Sequence, residues 1–156
     1  MKKISIVSAC YNEEENVEEL YKQVKEQIKK AGEYEYEHIF IDNDSTDRTQ
    51  EILKKLASQD NNVKVIINSR NFGHIRSPFY GITQSSGDAM IYMASDLQDP
   101  PSLIPEFIRR WENGYKMVIA VKSGSQESPL LFMVRKFYYN FVDKLSDTNT
   151  QVIKNY

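Results

Sequence analysis

Short apolar runs alternate along the chain with stretches in which apolar residues recur every three or four positions. The runs are rich in isoleucine and valine, and runs of this length are typical of strands buried on both faces of a parallel sheet. The sequence therefore predicts five strands, at residues 4–10, 38–42, 63–68, 89–94 and 115–121.

Helices are predicted between and after these runs, because the intervening apolar residues fall on one face at helical spacing. The first helix covers residues 14–31 and ends at Gly32, and the second is expected to be capped by Ser45 or Thr46. Two more are predicted at residues 75–86, with Pro78 in the first turn, and from Ile104 to Trp111, followed by Asn113 and Gly114.

The alternation of strands and helices predicts an α/β fold, in which a mostly parallel central sheet carries helices on both faces. A chain of 156 residues fits one domain with a sizeable core. After a polar loop at residues 123–129, residues 130–145 are predicted to form a further helix that is apolar on most sides.

Polar residues follow four of the predicted strands, and three of these polar segments are rich in acid. In an open α/β sheet, ligands bind at the edge where the carboxyl ends of the strands and their loops converge. The sequence therefore predicts a site for a metal ion and a polar ligand at that edge. The four segments are 11–16 (YNEEEN), 42–47 (DNDSTD), 69–74 (SRNFGH) and 95–99 (SDLQD).

Composition excludes several classes of protein. The chain has 20 basic and 22 acidic side chains and a net charge of -2, so no nucleic-acid partner is expected. Its single cysteine, Cys10, cannot form an internal disulfide, which favours a reducing compartment. No run of 18 or more apolar residues occurs, so neither a membrane span nor a signal peptide is predicted within these residues.

The absence of several known motifs excludes further kinds of ligand site. The sequence contains no glycine-rich dinucleotide fingerprint, no P-loop and no G-x-S-x-G hydrolase motif. One cysteine and two histidines do not make a zinc cluster. Hard oxygen ligands remain, and these suit a Mg²⁺ or Mn²⁺ ion that bridges phosphates.

Four motifs resemble, in order, the successive motifs of family 2 glycosyltransferases. They are "SACYNEEENVEELY", "IFIDNDSTDRT", "SRNFGH" and "SDLQDPPSLIPEFIRRWENGY". The similarity is greatest to the polyprenyl-phosphate branch, which includes dolichyl-phosphate mannose synthases and bactoprenol glucosyltransferases, and it runs from residue 4 to residue 145. The resemblance implies a Rossmann-like GT-A fold and one catalytic domain over residues 1–156, expected to be cut short before a C-terminal acceptor loop and membrane segments.

The resemblance also implies an activity. An inverting enzyme would move a hexose from a nucleotide sugar, expected to be UDP-linked, to a polyprenyl phosphate with the help of Mg²⁺ or Mn²⁺. The full-length protein would work at the cytoplasmic face of the cell membrane through segments beyond this chain, and the piece itself is expected to be soluble. An oligomer is compatible with the resemblance.

Roles for individual residues are implied by their positions in the motifs. The metal ligands would be Asp96 and Gln98, and the candidates for catalysis are Asp96, Asp99 and Arg135, of which Arg135 would meet the acceptor phosphate. The nucleotide-binding candidates are Ala9, Tyr11, Asn12, Glu13, Asp42, Asn43, Arg70, His74, Ser95 and Asp96.

The sequence departs from the family pattern at three places. Ala94 stands where the family's D-x-D motif begins with aspartate, so one ribose or metal contact is missing. Ala9 replaces the usual proline of the first motif. The usual D-D-G-S is here Asp42-Asn43-Asp44-Ser45. The substitutions near the nucleotide leave the identity of the donor open.

The charges of the reaction indicate a mechanism. Breaking a sugar–diphosphate bond leaves negative charge on the β-phosphate, which a cation on Asp96 and Gln98 would neutralise. A phosphate monoester is largely dianionic at neutral pH, since its second pKa is about 6, and needs no strong base to attack. It does need cations nearby, which Arg135 with Lys136 or Lys122 would supply. A single displacement would invert the anomeric centre.

Several candidates have plain structural alternatives. Asp99 precedes Pro100-Pro101 and is as well suited to cap a helix as to catalyse. Asp47 suits the first turn of the second helix. Arg135 could lie along an amphipathic helix with its head group in water. The aromatic residues between 132 and 141 suit a membrane surface or a buried helix equally well.

Three other functions compete with the polyprenyl-phosphate transferase. A transferase acting on a glycan hydroxyl would need a carboxylate base, for which Asp99 is the obvious local candidate. A degenerate domain that binds nucleotide sugars without turnover would explain Ala94. A phospho-receiver domain shares the sheet, but its third strand should end in aspartate, and here the segment is Asn68-Ser69-Arg70.

Overall fold

Four parallel strands form the central sheet. The computed structural model describes residues 1–121. Its strands are β1 (Lys3–Cys10), β2 (Glu35–Asp42), β3 (Val63–Ile67) and β4 (Ala89–Tyr92), and they lie side by side in the order β3-β2-β1-β4. The α/β fold class predicted from the alternation is thereby confirmed, and four of the five predicted strands are present.

Helices connect and follow these strands. They are α1 (Val17–Ala31), α2 (Thr49–Gln59), α3 (Gly73–Thr83) and α4 (Ile104–Glu112), with a short 3-10 helix at Pro101–Leu103 just before α4. All four helices predicted within residues 1–121 are confirmed, with ends shifted by a few residues. Helix α1 ends where expected, because Gly32 adopts a φ of 134°, which side chains disfavour.

Successive side chains of each strand point to opposite faces of the sheet, and helices pack on both faces. Ile4 and Ile6 of β1 and Phe40 of β2 belong to the same buried core as the apolar stripe of α1. On the opposite face, α3 packs against β1 and β2 at Gly81. A Cβ atom built on Gly81 would lie 2.9 Å from the Ile41 side chain, so only glycine allows this close approach.

The chain separates into two compact units. Met1–Lys116 forms the first unit and contains every strand and helix named above, and the second unit runs from Met117 to Tyr156. Among the residues that the structure describes, no helix combines the length and the hydropathy needed to cross a bilayer. The helix predicted at residues 130–145, the aromatic residues between 132 and 141, and Arg135 lie outside the described residues. The expectation of a single domain over residues 1–156 stays a prediction.

The fifth predicted strand is wrong. No strand is formed by residues 115–121, and in the described part of the chain β4 pairs with β1 alone. A strand depends on hydrogen bonds to a neighbour, and an apolar run by itself does not show whether that neighbour is in place.

Two predicted helix caps are also wrong. Helix α2 starts at Thr49, three residues after Thr46 and four after Ser45. Its N-cap residue is Arg48, whose side chain makes no capping hydrogen bond. The Ser45 hydroxyl instead donates a hydrogen bond to Asp42. Asp99 caps neither the 3-10 helix nor α4, because the two prolines move the helix start beyond its reach. Asp47 does serve the start of α2, where its Oδ1 accepts from the Thr49 N–H at 2.9 Å.

His38 is a buried titratable group in the sheet, and it is fully enclosed. Its Nε2 lies 3.1 Å from the Ser8 hydroxyl, and its Nδ1 has no hydrogen-bond partner within residues 1–121. Burial lowers the pKa of His38 from 6.5 to about 3, because the imidazolium form would lose its hydration. The imidazole is therefore neutral in the folded protein.

This histidine should make folding stability pH-dependent. Between pH 3 and pH 6.5 the unfolded chain binds a proton at this histidine that the folded chain does not bind. The stability that the neutral imidazole contributes is therefore fully present above pH 6.5 and is lost as the pH falls towards 3. We expect the loss between pH 7 and pH 5 to be about 2 kcal/mol. Urea unfolding at the two pH values measures it. His38→Gln should abolish this difference, whereas His74→Gln, at an exposed position, should keep it. Equal pH dependence in both variants would contradict the assignment.

Candidate functional site

A cavity of about 440 Å³ lies at the carboxyl ends of the strands. Residues from the ends of β1 and β4 and from the loops that follow β2 and β3 line it, so each of the four strands contributes. This is the edge at which open α/β sheets bind ligands. The residues predicted from the sequence that line the cavity are Ala9, Tyr11, Glu13, Asn43, His74, Ser95 and Asp96.

The loop after β1 is tied to the loop after β2. Asn12 has a positive φ of 56°, and its N–H donates to the Ser45 hydroxyl at 2.9 Å while its Oδ1 accepts from the Thr46 N–H at 2.8 Å. The Glu13 N–H donates to the Thr49 hydroxyl at 2.8 Å. Asn12 is not among the cavity-lining residues, so its observed contacts hold the two loops together. Its contact with the nucleotide stays a prediction.

Asp42 lies beneath the site and is completely buried. Its carboxylate accepts hydrogen bonds from the N–H and the hydroxyl of Ser45 and, at 2.8 Å, from Gln50 Nε2. These donors compensate the loss of water that burial of the carboxylate entails. Asp42 does not line the cavity, and its observed contacts, to Ser45 and Gln50, lie within the turn after β2 and at the start of α2. Direct contact with the base stays a prediction.

Asn43 connects the turn after β2 with the loop after β3. Its Oδ1 accepts from the Phe72 N–H at 2.9 Å and from Asn68 Nδ2 at 3.2 Å. Its Nδ2 donates to Asn71 Oδ1 at 2.9 Å and to the Gly73 carbonyl at 3.5 Å. Both ends of the amide are therefore used, and Asn43 positions the cavity wall that contains Asn71 and Gly73.

Replacing Asn43 with aspartate should loosen this wall. The carboxylate cannot donate and would face Asn71 Oδ1, so we expect a loss of about 1–3 kcal/mol in the free energy of unfolding. The affinity for UDP should fall by about tenfold, since about 1.4 kcal/mol of binding energy corresponds to that factor. Thermal unfolding and calorimetry measure the two effects. Asn61→Asp, in an exposed turn, adds the same charge and should change neither; a similar effect of both variants would argue against the amide's role.

Of the two basic candidates in the loop after β3, one lines the cavity and the other does not. His74 lines the cavity from the first turn of α3. Arg70 is exposed, does not line the cavity, and holds its guanidinium 4.8 Å from the centre of the Phe72 ring. Contact between Arg70 and the nucleotide stays a prediction.

The turn after β4 presents Asp96 to the cavity. Ser95 is buried and its hydroxyl donates to the Ala9 carbonyl at 2.6 Å, which ties this turn to the end of β1. Leu97 has a φ of 58°, and the Gln98 N–H donates to Asp96 Oδ1 at 3.1 Å. Asp96 is exposed and lines the cavity, whereas Gln98 and Asp99 are exposed and do not.

The donor set suits a metal ion that phosphates help to hold. Asp96 offers hard carboxylate oxygens at the cavity wall, and residues 1–121 contain no group of three or more acids, histidines or cysteines that would form a closed metal cage. Mg²⁺ is commonly held by one or two carboxylates together with substrate phosphates and water. The residues present therefore fit Mg²⁺ or Mn²⁺, with Asp96 as the ligand that the geometry supports.

Seven residues of the cavity wall were not predicted as site residues: Cys10, Asn71, Gly73, Ser77, Pro78, Tyr92 and Ala94. Two of them, Tyr92 and Cys10, carry titratable side chains. Tyr92 is the last residue of β4 and lines the cavity, as does Ala94 two residues later. In the predicted strand 89–94 the alternation of side chains puts both on one face, and this signal could have identified Tyr92. Burial raises the pKa of Tyr92, as do the nearby charges of Asp99 and Asp96. Cys10 packs in the core at the end of β1 and also reaches the cavity. Burial raises the pKa of its thiol to about 12, so it is no thiolate nucleophile.

Comparisons with known proteins agree with this architecture. The family model described as glycosyl transferase family 2 matches residues 5–154. An uncharacterized glycosyltransferase of Bacillus subtilis (strain 168) is 42% identical over 149 residues, which are 95% of this chain and 46% of that protein. A bactoprenol glucosyl transferase of Shigella phage SfV is 38% identical over 145 residues, which are 92% of this chain and 47% of that protein. The chain thus spans about half the length of the curated relatives it matches.

A solved structure shares the fold. The mannosyltransferase from Pyrobaculum calidifontis, solved in complex with GDP-Man and Mn²⁺, superposes with a TM-score of 0.62 and 16% sequence identity. The superposition covers 88% of this chain and 38% of that one. The likeness confirms the Rossmann-like GT-A fold that the sequence motifs implied.

Proposed function

Because this chain belongs to glycosyltransferase family 2, we propose that it transfers a hexose from a nucleotide sugar, UDP-linked, to a polyprenyl phosphate with inversion at the anomeric carbon. The observation that carries the proposal is the cavity at the carboxyl ends of all four strands, with the Asp96 carboxylate in its wall. Similarity to a bactoprenol glucosyl transferase over 92% of the chain supports the choice of a lipid-phosphate acceptor.

The cavity suits the two ends of a nucleotide sugar. Tyr11 and Asn43 line it near the ends of β1 and β2, where an aromatic ring and polar groups would receive the base and ribose. Asp96 lies at the end of β4, where the diphosphate would then reach it. A cavity of about 440 Å³ falls in the range of small-ligand sites, which measure roughly 300–1,000 Å³.

Asp96 and Gln98 would hold the divalent ion. Oδ1 of Asp96 accepts from the Gln98 N–H, and Oδ2 makes no hydrogen bond within residues 1–121, which leaves this oxygen for a metal. When bound, Mg²⁺ or Mn²⁺ supplies positive charge that stabilises the departing diphosphate. Ala94 contributes no carboxylate, so Asp96 carries more of this task than it would in a complete D-x-D motif.

The acceptor side needs cations and no strong base. A polyprenyl phosphate is already largely ionised at neutral pH, because its second pKa is about 6. Arg135, together with Lys122 or Lys136, would receive this phosphate; all three lie outside the described residues. The lipid part of the acceptor would bring the reaction to the cytoplasmic surface of the cell membrane.

The rival acceptor, a glycan hydroxyl, would require Asp99 as general base. Asp99 is exposed at the end of the turn after β4, and removal of a general base costs roughly 10²–10⁴-fold in rate. We expect Asp99→Asn to keep at least about half of the transfer to polyprenyl phosphate, because an ionised phosphate needs no base. Transfer of labelled hexose from UDP-hexose into the lipid fraction measures it. A loss of 100-fold or more would favour the glycan-hydroxyl enzyme.

Calorimetry combined with a turnover assay tests the proposed function. UDP should bind to the protein, Mn²⁺ should tighten that binding, and UDP-hexose should be consumed only when polyprenyl phosphate is present. UDP binding without any turnover would identify a degenerate binding domain. Failure of Mn²⁺ to tighten UDP binding would contradict the proposed metal role of Asp96.

A further inference from the structure

The outer face of α3 exposes large apolar side chains next to one another. Phe72, Ile75, Phe79 and Tyr80 follow one another at spacings of three, four and one residues, and 37%, 71%, 66% and 51% of their surfaces are exposed. Residues spaced by three or four positions are neighbours on a helix, so these side chains form a continuous surface, here called the α3 patch. Contiguous exposed apolar surface of this kind marks an interaction site, in contrast to single exposed residues.

The segment that carries the α3 patch contains basic residues and no acid. The segment 69–84 contains Arg70, Arg76 and His74 but no acid, although the whole chain has 22 acidic residues. Helices α1, α2 and α4 each contain glutamate. Neither Arg70 nor Arg76 forms an ion pair among the residues that the structure describes.

The two arginines lie next to the apolar side chains of the α3 patch. Arg76 lies one turn from both Phe72 and Tyr80, and the Arg70 guanidinium lies over the Phe72 ring at 4.8 Å. Aromatic rings, aliphatic side chains and arginines on one helix face are the composition of segments that lie in the interface of a bilayer. Anionic lipid head groups attract such basic residues.

We propose that the α3 patch docks on the surface of an anionic membrane, with Ile75 and Phe79 entering the interface and Arg70 and Arg76 pairing with lipid phosphates. The opposite side of the same helix contributes Ser77 and Pro78 to the cavity. Docking through α3 would therefore hold the cavity mouth close to the lipid surface. This inference does not depend on the identity of the donor, the metal or the acceptor.

Co-sedimentation with vesicles tests the α3 patch. The vesicles consist of equal parts of phosphatidylcholine and phosphatidylglycerol, and vesicles of phosphatidylcholine alone are run beside them. We expect the double variant Ile75→Ser/Phe79→Ser to lower the partition coefficient on anionic vesicles by at least about tenfold. Arg76→Gln should lower it by about fivefold, with a weaker dependence on salt than the wild-type protein shows.

A matched control separates the patch from overall charge. Lys54→Gln removes one positive charge from an exposed position of α2 and should lower the partition coefficient much less than Arg76→Gln does. Thermal unfolding of each variant confirms folding, which these exposed substitutions should preserve. The Ile75→Ser/Phe79→Ser variant should bind UDP as tightly as the wild-type protein does in calorimetry. If neither protein bound UDP, the proposed function would be refuted, but the vesicle result would still stand.

Three outcomes would overturn membrane docking by α3. The first is equal vesicle binding by the wild-type protein and the Ile75→Ser/Phe79→Ser variant. The second is equal binding to anionic and neutral vesicles, unaffected by Arg76→Gln. The third is concentration-dependent self-association in gel filtration that Ile75→Ser/Phe79→Ser abolishes without any change in vesicle binding, which would make the patch a contact between two copies of the chain.

Discussion

Replacing Asp96 with asparagine is expected to abolish the tightening of UDP binding by Mn²⁺ and to lower hexose transfer by at least about 100-fold. Asp96 contributes the carboxylate that lines the cavity at the end of β4. Its Oδ1 accepts the Gln98 N–H, which an asparagine oxygen can still accept, so the turn should survive the substitution. The variant thus removes charge from the site with little change in shape.

Calorimetry of UDP with and without Mn²⁺ measures the Asp96 effect independently of turnover. Asp44→Asn is the matched control: it removes one negative charge from an exposed loop residue, and asparagine tolerates the positive φ of 67° at that position. The control should retain the full manganese effect. If Asp96→Asn still showed the wild-type gain in UDP affinity with Mn²⁺, the metal site would have to be sought elsewhere.

The second large effect concerns stability and lies at the opposite end of the sheet. Glu37 of β2 is 2% exposed, and its Oε1 accepts from the Ser5 hydroxyl at 2.6 Å and from the Ser86 N–H at 2.7 Å. Its Oε2 accepts from Lys64 at 2.6 Å and from Lys3 at 3.2 Å. One carboxylate thus joins β1, β2, β3 and the segment before β4, and a buried charge is tolerated because its donors surround it.

Glu37→Ala should destabilise the fold by about 3–5 kcal/mol, because buried donors lose their acceptor and two lysines lose their counter-charge. The midpoint of thermal unfolding should fall by roughly 10–20 °C. Glu18→Ala, on the exposed face of α1, removes an i,i+4 partner of Lys22 and should leave the midpoint nearly unchanged. Equal midpoints for Glu37→Ala and the wild-type protein would show that the network contributes nothing.

The same carboxylate gives a second pH dependence. Burial alone would raise the pKa of Glu37, but the hydrogen bonds from Lys64, Ser5 and Ser86 outweigh burial and hold the pKa well below its ordinary value of 4.5. The stability that the folded-state carboxylate provides is therefore present above pH 4.5 and is lost as the pH falls below it. The Glu37→Ala variant should lose less stability than the wild-type protein over that acidic range.

The position of the site was largely predictable from the sequence, but the contacts of its residues were not. The four strand ends and Asp96 were identified from apolar runs followed by polar segments, three of which are rich in acid. Asn12 and Asp42 were predicted beside the nucleotide, yet the structure places both outside the cavity wall, bonded to Ser45. Tyr92 was not predicted as a site residue, although it lines the cavity. The Asn12–Ser45 contact joins loops that lie 33 residues apart in sequence and leaves no local pattern to recognise. The Asp42–Ser45 contact is local, but burial of Asp42 depends on how the surrounding chain folds.

The sequence by itself determined the α/β fold, the four helices, the edge of the sheet that carries the site and the family, because local periodicity and motif order encode all of these. Only the tertiary structure decided the state of residues 115–121, the start of α2, the clamp made by Asn43 and the exposure of the α3 patch. The physical reason is the same for each. Strand pairing, capping and burial depend on groups that the fold brings together from distant positions, and a residue's own neighbours in sequence do not specify them.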